Sequence, residues 1–184
     1  MSRLARAWDS DIAWSFRHSP VAVVAAFVAL TIILSAAFAP LIAPYNPFDP
    51  ASLNLMDGFT PPMEPNQFTG NTYWLGTDNQ GRDIFSTILY GARISLFVGF
   101  SAVLFAMVLG IVIGLLAAWR GGWVDTLLMR IADVQLSFPS ILIALLIFGV
   151  ARGIIPPTMR EEVAIWVLIV AIGLSDWVQF ARVV

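Results

Sequence analysis

Residues 94–119 read ISLFVGFSAVLFAMVLGIVIGLLAAW, an uncharged run set between Arg93 and Arg120. A bilayer hydrocarbon core of about 30 Å takes roughly 20 apolar residues of helix at about 1.5 Å each. The stretch therefore predicts a membrane-spanning helix. Every fourth position in it is small: Ala102, Ala106, Gly110, Gly114 and Ala118. No hydrophobic force drives helices together in lipid, so association rests on close backbone approach and dispersion, which small residues at this spacing permit. The strip predicts helix packing inside a bundle. It does not name the partner helix, and a subunit interface stands beside that reading.

Three more segments follow on either side. Residues 21–43 carry no charge and predict a first transmembrane helix. Ala37-Phe38-Ala39 has the small-residue pattern of a signal-peptide cleavage site, but Pro40 would follow the cut and the apolar run is long for such a peptide. Residues 126–151 predict a third span; they carry Arg130 and Asp133 near the start and Pro139 inside, where a missing N–H and a steric clash should kink the helix. Residues 163–184 predict a fourth, with Asp176 late in it. The fold class is all-α, a polytopic membrane helical bundle. Composition agrees, at 59% hydrophobic and 12% charged residues, against about a quarter charged in soluble domains.

Composition also excludes function classes. A net charge of −2 leaves no broad basic surface for nucleic acid. There is no cysteine, hence no disulfide or thiolate zinc site, and the single histidine, His18, excludes a multi-histidine metal site. The sequence holds no Walker-type loop, serine elbow or zinc-helix motif. No catalytic residue, metal or cofactor is expected in this chain.

Arg3, Arg6 and Arg17 precede the first span, which places the N-terminal segment, residues 1–20, in the cytoplasm. Leu4, Trp8, Ile12 and Phe16 recur every four residues there, the pattern of a helix lying in the headgroup plane; a frayed tail is the plainer reading. The segment 44–93 then becomes an extracytoplasmic loop. Pro44, Pro47, Pro50, Pro61, Pro62 and Pro65 forbid a regular element over its first part. It closes on Trp74-Leu75-Gly76-Thr77-Asp78-Asn79-Gln80-Gly81-Arg82-Asp83, where Asp78 or Asn79 is placed to cap a short helix beginning near Arg82. Ile84, Phe85, Ile88 and Leu89 would share one face of it. Asp78 and Asp83 do not meet the spacing of a calcium loop.

Counted along straight helices, Asp133 lies roughly 10 Å inside one boundary of its span and Asp176 roughly 20 Å from the opposite boundary of its own, which brings both to a similar depth. Ionisable groups at membrane depth face protein or water. Arg130, Asp133, Gln135, Ser137, Asp176 and Gln179 are thus candidate pathway or structural polar residues, with Arg130 one turn from Asp133 as its counter-charge. A pair of intramembrane aspartates could also share a proton as a protease dyad. Ser175 stands before Asp176 where such proteases carry glycine, and Ala132 stands before Asp133 where they carry tyrosine.

Leu75-Gly76-Thr77-Asp78, Gly81-Arg82-Asp83, Gly91-Ala92-Arg93-Ile94-Ser95-Leu96 and Gly99 together resemble the inner-membrane permeases of bacterial dipeptide, oligopeptide and nickel ABC importers, the second of the two permeases in particular. Gly121-Gly122-Trp123-Val124-Asp125, Asp133 and Phe138-Pro139-Ser140 extend the resemblance through the third predicted span. It implies a type I ABC importer permease, with residues 94–184 as the start of the transmembrane domain, and a multi-pass location in the bacterial cytoplasmic (inner) membrane. It also implies a second permease subunit, two cytoplasmic ATPase subunits and an extracytoplasmic substrate-binding protein as partners, with membrane lipid around them and ATP bound elsewhere. The family's cytoplasmic coupling helix would follow the fourth span. The chain is therefore expected to be C-terminally truncated, with four of an expected six transmembrane helices. On that resemblance the position of the outer loop would let it contact the binding protein or the partner permease; a cap that seals the pathway's outer edge is the plainer reading. A non-transport membrane scaffold is the alternative to the permease reading.

Overall fold

The computed structural model describes residues 11–50 and 53–184, without the side chains of residues 11–13 and 161–162. The expected repeat of Leu4, Trp8 and Ile12, and Arg3 and Arg6 with it, falls outside the described side chains. The chain divides into two compact units, one up to Leu96 and one from Phe97 onward.

The first unit begins with α1 (Asp11–His18) and α2 (Pro20–Ala37). Ser19 caps α2: its backbone is extended and its Oγ accepts the Ala22 N–H at 3.3 Å. Pro20 follows at the first helical position, where its missing N–H costs nothing. α2 is long and apolar enough to cross a membrane and is almost entirely exposed, as a lipid-facing helix is. It ends at Ala37, short of the expected 43. Phe38 leaves helical geometry, and the chain makes a single further turn, α3 (Ala39–Ile42).

α4 (Ile84–Arg120) is one continuous helix of 37 residues, about 55 Å long at about 1.5 Å per residue. The expected boundary at residue 94 does not hold. A charge such as Arg93 ends an apolar window, but it does not end a helix. Residues 84–93 therefore belong to α4, not to a separate short helix.

The third expected span, 126–151, is a corner. α5 (Gly122–Leu136) and α6 (Ser140–Ile154) meet at 94°. Pro139 has φ −57° and ψ 129°, an extended conformation, so it turns the chain instead of bending a continuous hydrogen-bond ladder. With α5 and α6 nearly perpendicular, counting residues along one straight span no longer gives the depth of Asp133. The chain ends with α7 (Arg160–Ala181), whose stretch from Val163 is long and apolar enough to cross a membrane. Among the described residues there is no strand, only isolated bridges at Pro65–Thr72 and Thr77–Asp83.

In the second unit α4 packs on α7. Ala102 and Ala106 are fully buried, as are Ala171, Val178 and Ala181. A Cβ on Gly110 would lie 2.6 Å from the Phe180 Cβ, and one on Gly114 would lie 2.6 Å from the Ala181 carbonyl oxygen. Gly173 returns the favour from α7, against the Phe105 ring. The strip departs from expectation at its end, where Ala118 is exposed and Ala117 is buried. A fixed four-residue step drifts by about 40° per step on a helix of about 3.6 residues per turn. One three-residue step, from Gly114 to Ala117, restores the face.

Candidate functional site

Two polar constructions stand out, one in each unit. The first organises the loop before α4. Asp57 is 1% exposed. Its carboxylate accepts hydrogen bonds from the Thr69 hydroxyl, from Asn71 Nδ2 at 3.1 Å and from the Tyr73 hydroxyl at 2.9 Å. Its backbone carbonyl accepts from the hydroxyls of Thr60, at 2.7 Å, and Thr77. Burial pushes the Asp57 carboxyl up, but the hydrogen bonds from Thr69, Asn71 and Tyr73 outweigh it and hold it below the usual carboxylate range. Burial, and then the bond to Asp57 and its charge, raise Tyr73 to about 12. A buried anion held only by neutral donors tolerates no lost partner.

The motif residues are bound into this frame. Gly76 and Gly81 both have φ +75°, a region closed to most side chains. A Cβ on Gly76 would lie 2.5 Å from the Thr60 carbonyl oxygen, and one on Gly81 would collide with the Asn54 carbonyl. Thr77 Oγ1 accepts the Thr60 N–H at 2.9 Å. Asp78 does not cap a helix. Its Oδ1 accepts the N–H groups of Gln80 at 2.8 Å and Arg82 at 2.9 Å, closing the turn between them, while Oδ2 sits 3.4 Å from Arg82 Nε. The cap of α4 is Asp83, whose Oδ2 accepts the Ser86 N–H at 2.9 Å and the Ser86 hydroxyl at 2.5 Å. Its Oδ1 is buried without a partner. The positive end of the helix dipole offsets part of that cost. Ser86 Oγ in turn accepts the Tyr45 N–H at 3.3 Å, tying the start of α4 to the exit from α3.

Of the expected face on residues 84–89, Leu89 is buried and the Phe85 ring meets Trp74 at 5.1 Å, but Ile88 is exposed. Leu75, Gly91 and Arg93 make no polar side-chain contact among the described residues; space is open around Gly91. The motif at 75–83 is seated on Asn54, Asp57 and Thr60 of the preceding loop segment, so the two are held as one piece.

The second construction joins α5 to α7. Gln135 Nε2 donates to the carbonyls of Leu174 at 2.8 Å and Ser175 at 3.0 Å, and its Oε1 accepts from Trp177 Nε1 at 3.0 Å. Asp133 pairs with Arg182, not with Arg130, which is exposed. Ser137 Oγ donates back to the Asp133 carbonyl at 3.0 Å. Asp176 and Gln179 have no side-chain hydrogen bond among the described residues, and no hydrogen bond links Asp133 to Asp176. The described geometry thus gives the protease-dyad alternative no support, with Asp133 paired to Arg182. Asp57, Thr60, Thr69, Asn71 and Tyr73 carry no recognisable sequence signal, nor does Asn66, whose Nδ2 donates to Thr60 Oγ1 at 2.7 Å. The sole hint was an aspartate among threonine, asparagine and tyrosine in a loop otherwise punctuated by proline.

Comparison with known proteins falls on both units. Residues 6–62 match the N-terminal TM domain of oligopeptide transport permease C, and residues 110–184 match the binding-protein-dependent transport system inner membrane component. The chain is similar to the oligopeptide transport system permease protein OppC of Bacillus subtilis, 33% identical over 95% of this chain and 50% of the relative. It is similar to the dipeptide transport system permease protein DppC of Alkalihalophilus pseudofirmus, 38% identical over 91% of this chain and 49% of the relative. The glutathione transport system permease protein GsiD of Escherichia coli is 38% identical over 92% and 50%. The chain thus spans about half the length of the curated relatives it matches. With permease models matched in both units and apolar helices long enough to span a bilayer, the chain is a multi-pass membrane protein and belongs to the binding-protein-dependent transport permeases, in the branch of the dipeptide and oligopeptide permease C proteins.

Proposed function

We propose that this chain forms part of the translocation pathway of an ATP-driven importer for peptides or related small solutes in the bacterial inner membrane. Its partners on this reading are a second permease, two cytoplasmic ATPase subunits and an extracytoplasmic binding protein that delivers the solute. The observation that carries the proposal is the pair of permease matches at 6–62 and 110–184, on a chain whose membrane helices close through glycine-to-backbone contacts. The N-terminus is cytoplasmic and the loop from Pro44 to Asp83 faces outward, in keeping with Arg3, Arg6 and Arg17 before α2. The chain itself performs no catalysis. ATP is hydrolysed by the partner subunits, and helices rock against one another to expose the pathway alternately.

A membrane scaffold would keep its polar residues dry. Gln135 is structural on either reading, because all its hydrogen-bonding groups bind α7. Ser137 and Gln179 are the informative positions, both exposed. Cysteines placed there in the assembled transporter should react with a water-soluble thiol reagent and be protected by substrate or by a trapped nucleotide state. Uptake of labelled dipeptide by cells that depend on this permease tests the transport reading directly. Unreactive cysteines together with no uptake would leave the scaffold.

A further inference from the structure

Between α6 and α7, beside the turn that joins them, lies a cavity of about 270 Å³. Its wall is apolar, built by Phe148, Val163, Ala164 and Val167, and two guanidinium groups, Arg152 and Arg160, line it as well. The two arginines differ in what holds them. Arg160 Nε donates to the Ile155 carbonyl at 3.1 Å and an Nη donates to the Arg152 carbonyl at 2.9 Å, so Arg160 closes the last turn of α6. Arg152 is exposed and has no carboxylate partner among the described residues; its Cζ lies 5.7 Å from the centre of the Phe148 ring, which orients it. Glu161 and Glu162 follow Arg160 in the chain, so the cation this cavity offers to an anion is Arg152 itself.

A cation fixed at the end of two membrane helices, beside an apolar slot, matches an amphiphile with a phosphate at one end and hydrocarbon at the other. A guanidinium binds phosphate through paired N–H groups, and basic pockets between membrane helices take anionic headgroups. We propose that this cavity is a binding site for an anionic phospholipid, with the phosphate on Arg152 and an acyl chain against Phe148, Val163 and Val167. Its volume is too small for a whole lipid. The site takes the glycerol-proximal part of one chain, and the rest follows the exposed side of α6.

The test uses the complete chain in detergent, stripped of lipid, then offered phosphatidylglycerol or phosphatidylcholine of the same acyl composition, with retained lipid counted by native mass spectrometry. Phosphatidylglycerol should be retained about fivefold over phosphatidylcholine, the preference expected from one arginine near a headgroup. Arg152→Gln, at an exposed position, should abolish that preference, and Val167→Phe, which fills the slot while keeping both arginines, should lower retention of phosphatidylglycerol. Equal retention of the two lipids by the unaltered chain, or an undiminished preference in Arg152→Gln, would overturn the proposal. So would unchanged retention in Val167→Phe, which would mean surface adsorption. Full displacement by inorganic phosphate would assign the arginine to a free anion and refute the lipid.

Discussion

Gly110→Ala adds one methyl group where α4 meets α7. The new carbon would sit 2.6 Å from the Phe180 Cβ and 3.0 Å from the Ala181 amide nitrogen, whereas ordinary contact starts at 3.4 Å. Both obstacles are fixed to the α7 backbone, so no side-chain rotation relieves them. The helices must move apart by about 1 Å, and the flanking contacts at Ala106 and Gly114 lose part of their dispersion energy. Overpacking of this kind costs about 1–3 kcal/mol, against a gain of up to about 1 kcal/mol from replacing a helical glycine. Gly149→Ala is the internal control, because nothing lies within 4 Å of its added carbon. In a thermal-unfolding series in detergent, Gly110→Ala should melt about 2–8 °C below the parent, and Gly149→Ala at or above it. If the two variants melt together, the close approach of α4 and α7 is wrong.

Gly76→Ala should open the loop before α4 to protease, through left-handed strain of about 1–2 kcal/mol plus collision with the Thr60 carbonyl. Gly70→Ala, at φ +73° in open space, should show the strain alone. Asp57→Ala strands the buried Tyr73 hydroxyl and two further donors and should destabilise the same loop by about 2–4 kcal/mol, read as faster nicking. Asp57 has a depressed folded pKa, so its contribution is complete above the unfolded value of about 3.9 and is lost as pH falls through the lower folded value. Nicking should therefore be unchanged from pH 7 to 5 and rise only below about 4. Tyr73 titrates the other way: its raised pKa holds the fold below about 10 and is lost as pH climbs towards 12, which tyrosinate absorbance will follow. Asp133→Asn should cost less than about 1 kcal/mol, since both partners of the Arg182 pair are about half exposed. Gln135→Leu should cost more in the same melting assay, because it removes three hydrogen bonds.

The spans were legible where bilayer thickness alone decides them, as for residues 94–119. Their ends were not, because Arg93 marks a change of solvent and not a change of backbone. Pro139 was legible as a disturbance, but whether a proline bends a helix or ends it depends on the extended backbone it adopts, which the surrounding residues settle. The small-residue strip predicted a close neighbour, and the choice of α7 rests on Gly173, which meets the Phe105 ring of α4 from more than sixty positions along the chain. The Asp57 frame was hidden for a similar reason. Apart from Thr60, its partners lie 12 to 20 residues downstream, and no periodicity links an aspartate to such donors. The motif at 75–83 was legible as a pattern, while the cause of its glycines, the carbonyls of Asn54 and Thr60, became visible only in three dimensions.

The corner at Pro139 has a consequence for the lipid. α6 has 15 residues and reaches about 22 Å, some 8 Å less than an unperturbed hydrocarbon layer. It packs beside α7, which is long enough to cross on its own. Acyl tails that border α6 must shorten or tilt, at a fraction of a kcal/mol for each ångström of mismatch. A bilayer that borders α6 directly is therefore expected to thin on that flank.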